Sequence, residues 1–182
     1  AIAPSRKNVN TIWVGTARTG VVVSKDGGTT WQKMTDIPDS SPISSIKTNP
    51  QNPDLVYVGT FQTFYMSRNG GQSWTRRGGN LPIGNYNSIL INPNNPNELI
   101  VASSMEGRGG IYQSLDGGNM WKQIDSKDLN LPTRRIWTMA FDPNNPNRIL
   151  VGTNSSGIYR IERESTANTG KGTRPRVASN PN

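Results

Sequence analysis

The 182 residues include no Cys and no His, carry a net charge of +8, and are only 32% hydrophobic, with 19 Gly and 13 Pro. The missing Cys and His exclude disulfides, thiolate or imidazole metal sites, and any Ser-His nucleophile within the chain. So many Gly and Pro beside so little apolar residue suit short strands joined by many turns, and no apolar run nears the roughly eighteen residues that span a membrane.

The chain begins at Ala1 rather than Met, which points to a removed signal peptide or to a piece of a longer protein. Ala3-Pro4-Ser5-Arg6 aligns with a Pro/Asn turn that recurs downstream, so the innermost strand of a first unit is almost missing. That unit ends in Ser24-Lys25-Asp26-Gly27-Gly28-Thr29-Thr30-Trp31. The second unit reads as strands over 43–48, 55–60, 64–68 and 73–77. Its breaks are Asn49-Pro50-Gln51-Asn52-Pro53, the loop 61–63 and the turn 69–71. The third reads as strands over 88–91, 98–103, 110–115 and 120–124, around Asn92-Pro93-Asn94-Asn95-Pro96 and the turn 116–118. In the fourth, strands over 137–141, 148–153 and 157–161 surround Asp142-Pro143-Asn144-Asn145-Pro146. Where its Gly-Gly turn and Trp should stand, the chain reads Arg163-Glu164-Ser165-Thr166. Short Ile/Val/Tyr/Leu runs carry the strands, Pro and Asn mark the breaks, and Asp-Gly or Asn-Gly supplies positive φ for hairpins. Two regions follow: repeats over 1–162, and a basic, disordered tail over 163–182 rich in Gly, Ser, Thr, Asn and Pro.

The octapeptide recurs as Ser67-Arg68-Asn69-Gly70-Gly71-Gln72-Ser73-Trp74 and Ser114-Leu115-Asp116-Gly117-Gly118-Asn119-Met120-Trp121, with Trp residues 43 and then 47 positions apart. A period near 45 with four antiparallel strands per unit is that of a β-propeller blade. Ser-x-Asp-x-Gly-x-x-Trp resembles the Asp-box, or bacterial neuraminidase repeat, of sialidases, xyloglucanase-type glycosidases, sortilin-like receptors and the photosystem II assembly-factor family. The resemblance covers about residues 10–162. It implies an all-β propeller of four-stranded antiparallel blades, about three and a half of them here, part of a seven-bladed ring. The missing blades are expected from the parent chain or from a second copy, because an open arc leaves unpaired edges.

In the box, Asp26, Asn69 and Asp116 are read as turn caps, Gly28, Gly71 and Gly118 as turn residues, and Trp31, Trp74 and Trp121 as packing groups. Asn caps a turn but ligates cations poorly, so Asn69 argues against a metal. No metal or cofactor is expected. The resemblance places the box away from the functional face. That face holds the loops between the second and third strands and those between blades, and loops on a rigid scaffold commonly carry function. From these come the candidate ligand- or partner-binding residues Arg18, Phe61, Tyr86, Glu106, Arg108, Arg134 and Arg135. Phe61 and Tyr86 are expected to be exposed, and Phe64 and Trp137 to pack between blades. Arg134-Arg135 and Arg76-Arg77 could meet an acidic partner, as an arginine patch does in the photosystem assembly-factor family.

Glycosidase chemistry needs two carboxyls across a sugar. Asp36, Asp39, Glu106, Asp125 and Asp128 are the candidates. A xyloglucanase-type site would draw aspartates from two blades, which selects Asp36 and Asp125, yet nothing in their local sequence distinguishes them from solvated loop charges. A sialidase reading would need Arg18, Arg108 and Arg134 as a triad, but the Arg-Ile-Pro motif of that family is absent. The expected function is a non-catalytic, extracytoplasmic propeller module for protein or glycan binding or complex assembly. The alternative is the C-terminal part of a xyloglucanase-type glycoside hydrolase. The partner expected is a protein or polysaccharide. No run of basic residues exceeds two, and no nucleic-acid partner is expected.

Overall fold

The computed structural model describes residues 1–125, 131–163 and 177–178. Among them there are strands and turns but no helix. The first sheet comprises β1 (Ile2–Pro4), β2 (Ile12–Gly15), β3 (Val21–Ser24) and β4 (Gln32–Lys33). The second comprises β5 (Ile43–Thr48), β6 (Val56–Thr60), β7 (Phe64–Ser67) and β8 (Thr75–Arg76). The third is β9 (Tyr86–Ile91), β10 (Leu99–Ser103), β11 (Gly110–Ser114) and β12 (Lys122–Gln123). The fourth is β13 (Ile136–Asp142), β14 (Asn145–Thr153), β15 (Ile158–Glu162) and β16 (Val177–Ala178). Each sheet is an antiparallel meander in chain order. Inner strands β1, β5, β9 and β13 stand beside one another. This is an all-β partial propeller.

The blades are stacked face to face, and the core lies in the three seams between them. The first seam joins Trp13, Val21 and Val23 to Val56, Val58 and Trp74. The second joins Tyr57, Phe64 and Met66 to Leu99, Val101 and Trp121. The third joins Ile100, Ala102 and Ile111 to Ile149, Val151 and Ile161. A strand between two seams is buried on both faces and reads as a continuous apolar run, as β6 and β10 do at every position. In the outer blades the pattern alternates: along β2 every second residue is buried. A Val-Gly-Thr-like run recurs in the second strands for a packing reason. A side chain at Gly59 would strike the Tyr86 carbonyl on the next inner strand.

Three inner strands carry a bulge at one level, opposite the second strand's Gly or Ala. Ser44, Asn87 and Trp137 each fall between two paired residues and have no opposite number. The next residues stitch blades together: Ser45 Oγ donates to the Tyr86 carbonyl (2.7 Å), and Met139 N–H donates to Ser88 Oγ (3.0 Å).

The two ends account for the half blade. β1 has only three residues. The outer strand of the fourth sheet comes from the tail, where Val177 pairs with Ile161 and Ala178 with Arg160. The rest of the tail, 164–176 and 179–182, lies outside the described residues, as does Asp128. In the fourth blade the expected five-residue turn is tighter. Asp142 pairs with Asn145 and its carboxylate accepts the Asn144 N–H (2.8 Å), so β14 starts earlier than the Pro-rich sequence suggests.

Candidate functional site: the loop rim

The propeller has two rims built from different turns. On one rim the Gly-Gly turns meet the Pro/Asn turns: the amides of Gly27, Gly70 and Gly117 donate to the carbonyls of Asn10, Asp54 and Asn97. Within each box the serine hydroxyl donates to the next-but-one side chain, at 2.8 Å for Ser24–Asp26, 3.0 Å for Ser67–Asn69 and 2.8 Å for Ser114–Asp116. The same hydroxyl accepts the amide of Gly28, Gly71 or Gly118 at 2.8 Å. The Asp or Asn oxygen also accepts an amide four residues on, from Thr30, Ser73 or Met120. Asn69 substitutes without loss because its donor is used too, toward Ser73 Oγ (2.8 Å), where Thr30 instead donates to Asp26. These bonds, Thr30's first among them, hold the Asp26 carboxyl down at about 2. Gly71 adopts φ 86°, and a side chain there would collide with the Trp13 ring of the preceding blade. Among the described residues no group of three or more Asp or Glu is placed to hold a metal.

The opposite rim gathers the loops between second and third strands and the connections between blades. The two loop types are hydrogen-bonded to each other at every junction: Ile43 N–H to Thr16 O, Phe61 N–H to Pro42 O, Ser104 N–H to Asn85 O, and Asn154 N–H to Arg135 O. The rim is therefore a continuous surface carried on a rigid base.

Two of the residues singled out in the sequence, Asp36 and Asp125, are built into the framework. Asp36 accepts the backbone N–H of Trp74 (3.0 Å), tying the first interblade connection to the box of the second blade. Asn80 does the same one junction on, taking the Trp121 N–H on its oxygen (2.7 Å) and giving its amide to the Trp121 carbonyl (2.8 Å). Asp125 is buried, accepts the Ile111 N–H (2.9 Å) and receives Arg134 Nε (2.9 Å). Its burial pushes the carboxyl above its ordinary value, against the pull of the Ile111 amide and Arg134. Asp39 pairs with Lys33 at the surface (2.5 Å).

Tyr86, expected to be exposed, is fully buried. It opens β9 rather than ending a loop, and its hydroxyl donates to the Pro82 carbonyl (2.5 Å) while its ring packs edge-on against Tyr112. Trp137, expected to pack between blades, is exposed because the bulge turns it out of the alternation. Phe64 does pack between blades, against Trp121. Arg18, Phe61, Glu106 and Arg108 are exposed. At the junction of the third and fourth blades, Arg135 reaches the Ser104 carbonyl (3.4 Å) and lies 3.9 Å from the Glu106 carboxylate, beside the Arg134–Asp125 pair. Arg18 and Phe61 belong to the first and second blades, away from this cluster in the chain's arc. The sequence reading missed exposed Ile83, in the connection between the second and third blades.

The family described as "Sortilin-Vps10: Sortilin, neurotensin receptor 3" matches residues 19–128, more than half of the chain. The chain belongs to this family. That agrees with the Asp-box repeat, which recurs through the matched span. No curated protein matches the sequence. Solved structures carry the same fold: an ancestral GH74 enzyme (TM-score 0.74, 21% identity) over 88% of this chain and 22% of its own. YCF48 bound to D1 peptide is similar over 91% of this chain and 51% of its own (TM-score 0.60, 16% identity). So is an auxiliary nutrient binding protein from Bacteroides thetaiotaomicron, over 97% and 40% (TM-score 0.67, 16% identity). At these identities the likeness is one of fold, and the chain spans about a fifth to a half of each of these proteins.

Proposed function

We propose that this Sortilin-Vps10 family chain is a non-catalytic, extracytoplasmic propeller module, its blades part of a seven-bladed ring, that binds a protein or glycan partner through the loop rim. One observation carries the reading. The two carboxylates best placed by sequence for catalysis, Asp36 and Asp125, hold backbone amides of the framework, whereas Arg18, Phe61, Ile83, Arg108 and Trp137 project unburied from the same rim. Exposed aromatic and arginine side chains on a rigid base are the usual anchors of recognition. Among proteins of this fold, one is bound to a peptide and another is a nutrient binding protein, which supports a binding role. The extracytoplasmic placement is checked by fractionating the native source.

The test is biolayer interferometry of the chain against acidic peptides and against xyloglucan and other β-glucan oligosaccharides. Phe61→Ala and Arg135→Ala should weaken whichever binds by at least about tenfold each, as anchor residues do. Unchanged affinity in both would sink the rim assignment. The second reading, a xyloglucanase-type glycoside hydrolase, draws on the fold shared with a GH74 enzyme. It requires reducing-sugar release from xyloglucan that Asp36→Asn or Asp125→Asn abolishes with the fold intact.

A further inference from the structure

The second box differs chemically from the other two. Asn69 stands where the first and third boxes have Asp26 and Asp116, and it makes the one Asn-Gly step in the sequence. Asn is a thermolabile residue, and a following glycine has no side chain to keep its amide nitrogen off the Asn carbonyl carbon. Asn69 is also exposed, so water reaches it. Its blade packs against a neighbour on each face, which makes this exposure a property of the turn itself.

In the folded turn both reacting groups are engaged elsewhere. The Asn69 side-chain oxygen accepts Ser67 Oγ (3.0 Å) and the Ser73 amide (2.9 Å), and Nδ2 donates to Ser73 Oγ (2.8 Å). The Gly70 N–H is given to the Asp54 carbonyl (3.0 Å). The Gly70 nitrogen can attack Asn69 Cγ only after the turn has released these bonds.

We propose that Asn69 is a site of spontaneous deamidation, reached only when the box turn opens, and that the box accepts one product and not the other. The Gly70 nitrogen gives its proton to solvent and bonds to Asn69 Cγ. The Cγ–Nδ2 bond breaks and Nδ2 leaves as ammonia. Water then opens the cyclic imide. Breaking the bond from the Gly70 nitrogen to Cγ gives aspartate. Breaking its bond to the backbone carbonyl carbon gives isoaspartate, with the chain running through the former side chain.

Aspartate at this position meets a turn already made for it. Asp26 accepts the Thr30 amide (2.8 Å) and hydroxyl (2.5 Å), and Ser73 offers the same two donors once its hydroxyl turns round. Isoaspartate instead adds a carbon to the backbone between Ser67 and Gly71. Ser67 Oγ accepts the Gly71 N–H (2.8 Å), and Gly71 lies too close to the Trp13 ring to carry a side chain. The longer turn therefore presses on the seam between the first and second blades.

The test is peptide mapping of the chain held in mildly alkaline buffer, folded and in guanidinium chloride. Trypsin cuts after Arg68 and Arg76 and releases 69–76, whose three forms separate by chromatography. Conversion should be at least about tenfold slower in the folded chain, because it waits on local opening. Ser73→Ala frees Nδ2 and should speed conversion in the folded chain only. Equal rates folded and unfolded, or a folded rate that ignores Ser73→Ala, would overturn the guarded site. Asn69→Asp should keep the parent's urea midpoint, and the isoaspartyl fraction of aged protein should unfold below it. A lowered midpoint in Asn69→Asp, or an unchanged one in the isoaspartyl fraction, would overturn the selection between products.

Discussion

The guanidinium of Arg163, just past β15, sits against the buried carboxylate of Glu98, just before β10, and lies 5.1 Å from the centre of the Phe141 ring. Asn92 and Gln113 donate to the same carboxylate at 2.5 and 2.6 Å. The pair fastens the fourth blade to the third on the box rim. Removing one partner of a buried pair leaves a desolvated charge and costs about 3–5 kcal/mol. Arg163→Ala should lower stability by about that much in urea titration. The double variant Glu98→Gln/Arg163→Met should recover most of the loss, since it buries no charge.

The box tryptophans predict a gradient of stability effects. Trp121 is held on the Phe64 ring and bonded through its indole to the Arg77 and Gly118 carbonyls, so Trp121→Ala should cost about 3–5 kcal/mol. Trp31→Ala removes a half-exposed ring at the end of the arc and should cost less than half as much under conditions where the chain is monomeric. Equal losses would contradict the placement of the core in the seams.

Asp36 and Asn80 do one job with different chemistry. Asp36→Asn should therefore be near neutral, since an amide oxygen accepts the Trp74 N–H as Asn80 accepts that of Trp121. Asp36→Ala orphans a backbone donor and should cost about 1–3 kcal/mol, read from the shift in urea midpoint.

Acid should loosen the protein through the box rim. The Asp26, Asp116 and Asp142 carboxyls are lowered by the hydrogen bonds they accept, Thr30 acting first on Asp26, Met120 on Asp116 and Asn144 on Asp142. A carboxyl depressed in the folded state contributes stability that is present above its unfolded value, about 3.9. That stability is lost as pH falls through the folded value, about 2 for Asp26. Asp125 has the opposite sign: raised by burial, it costs stability as pH rises through its folded value, and acid relieves it. The net expectation is a urea midpoint that drops from about pH 4 toward about pH 2, with a shallower drop in Asp26→Asn. The same slope in both would remove Asp26 from the account.

The blades were legible because their signals are local. A Ser two residues before an Asp or Asn, followed by Gly and Trp, describes a turn that closes with its own atoms. What the sequence hid depends on partners far along the chain. Asp36 looks like a loop charge until Trp74 arrives 38 residues later. Tyr86 looks like a loop aromatic, and only the Pro82 carbonyl and the Tyr112 ring explain its burial. Trp137 sits on a bulge, which is a mismatch of two strands and leaves no trace in either one's sequence. β16 is two residues of a polar tail, too short for any periodicity to announce.

The separation of the two rims has a consequence for how such a chain can change. Turn closure on one rim uses the side chains of each box, while the loop tips of the other are held by backbone bonds and by flanking side chains such as Thr16, Thr60 and Asp125. Randomised libraries confined to 17–18, 61–62, 106 and 108, which leave Gly107 at its φ of 70° unchanged, should therefore express as well as the parent, so new specificities could be grafted there without re-engineering the scaffold.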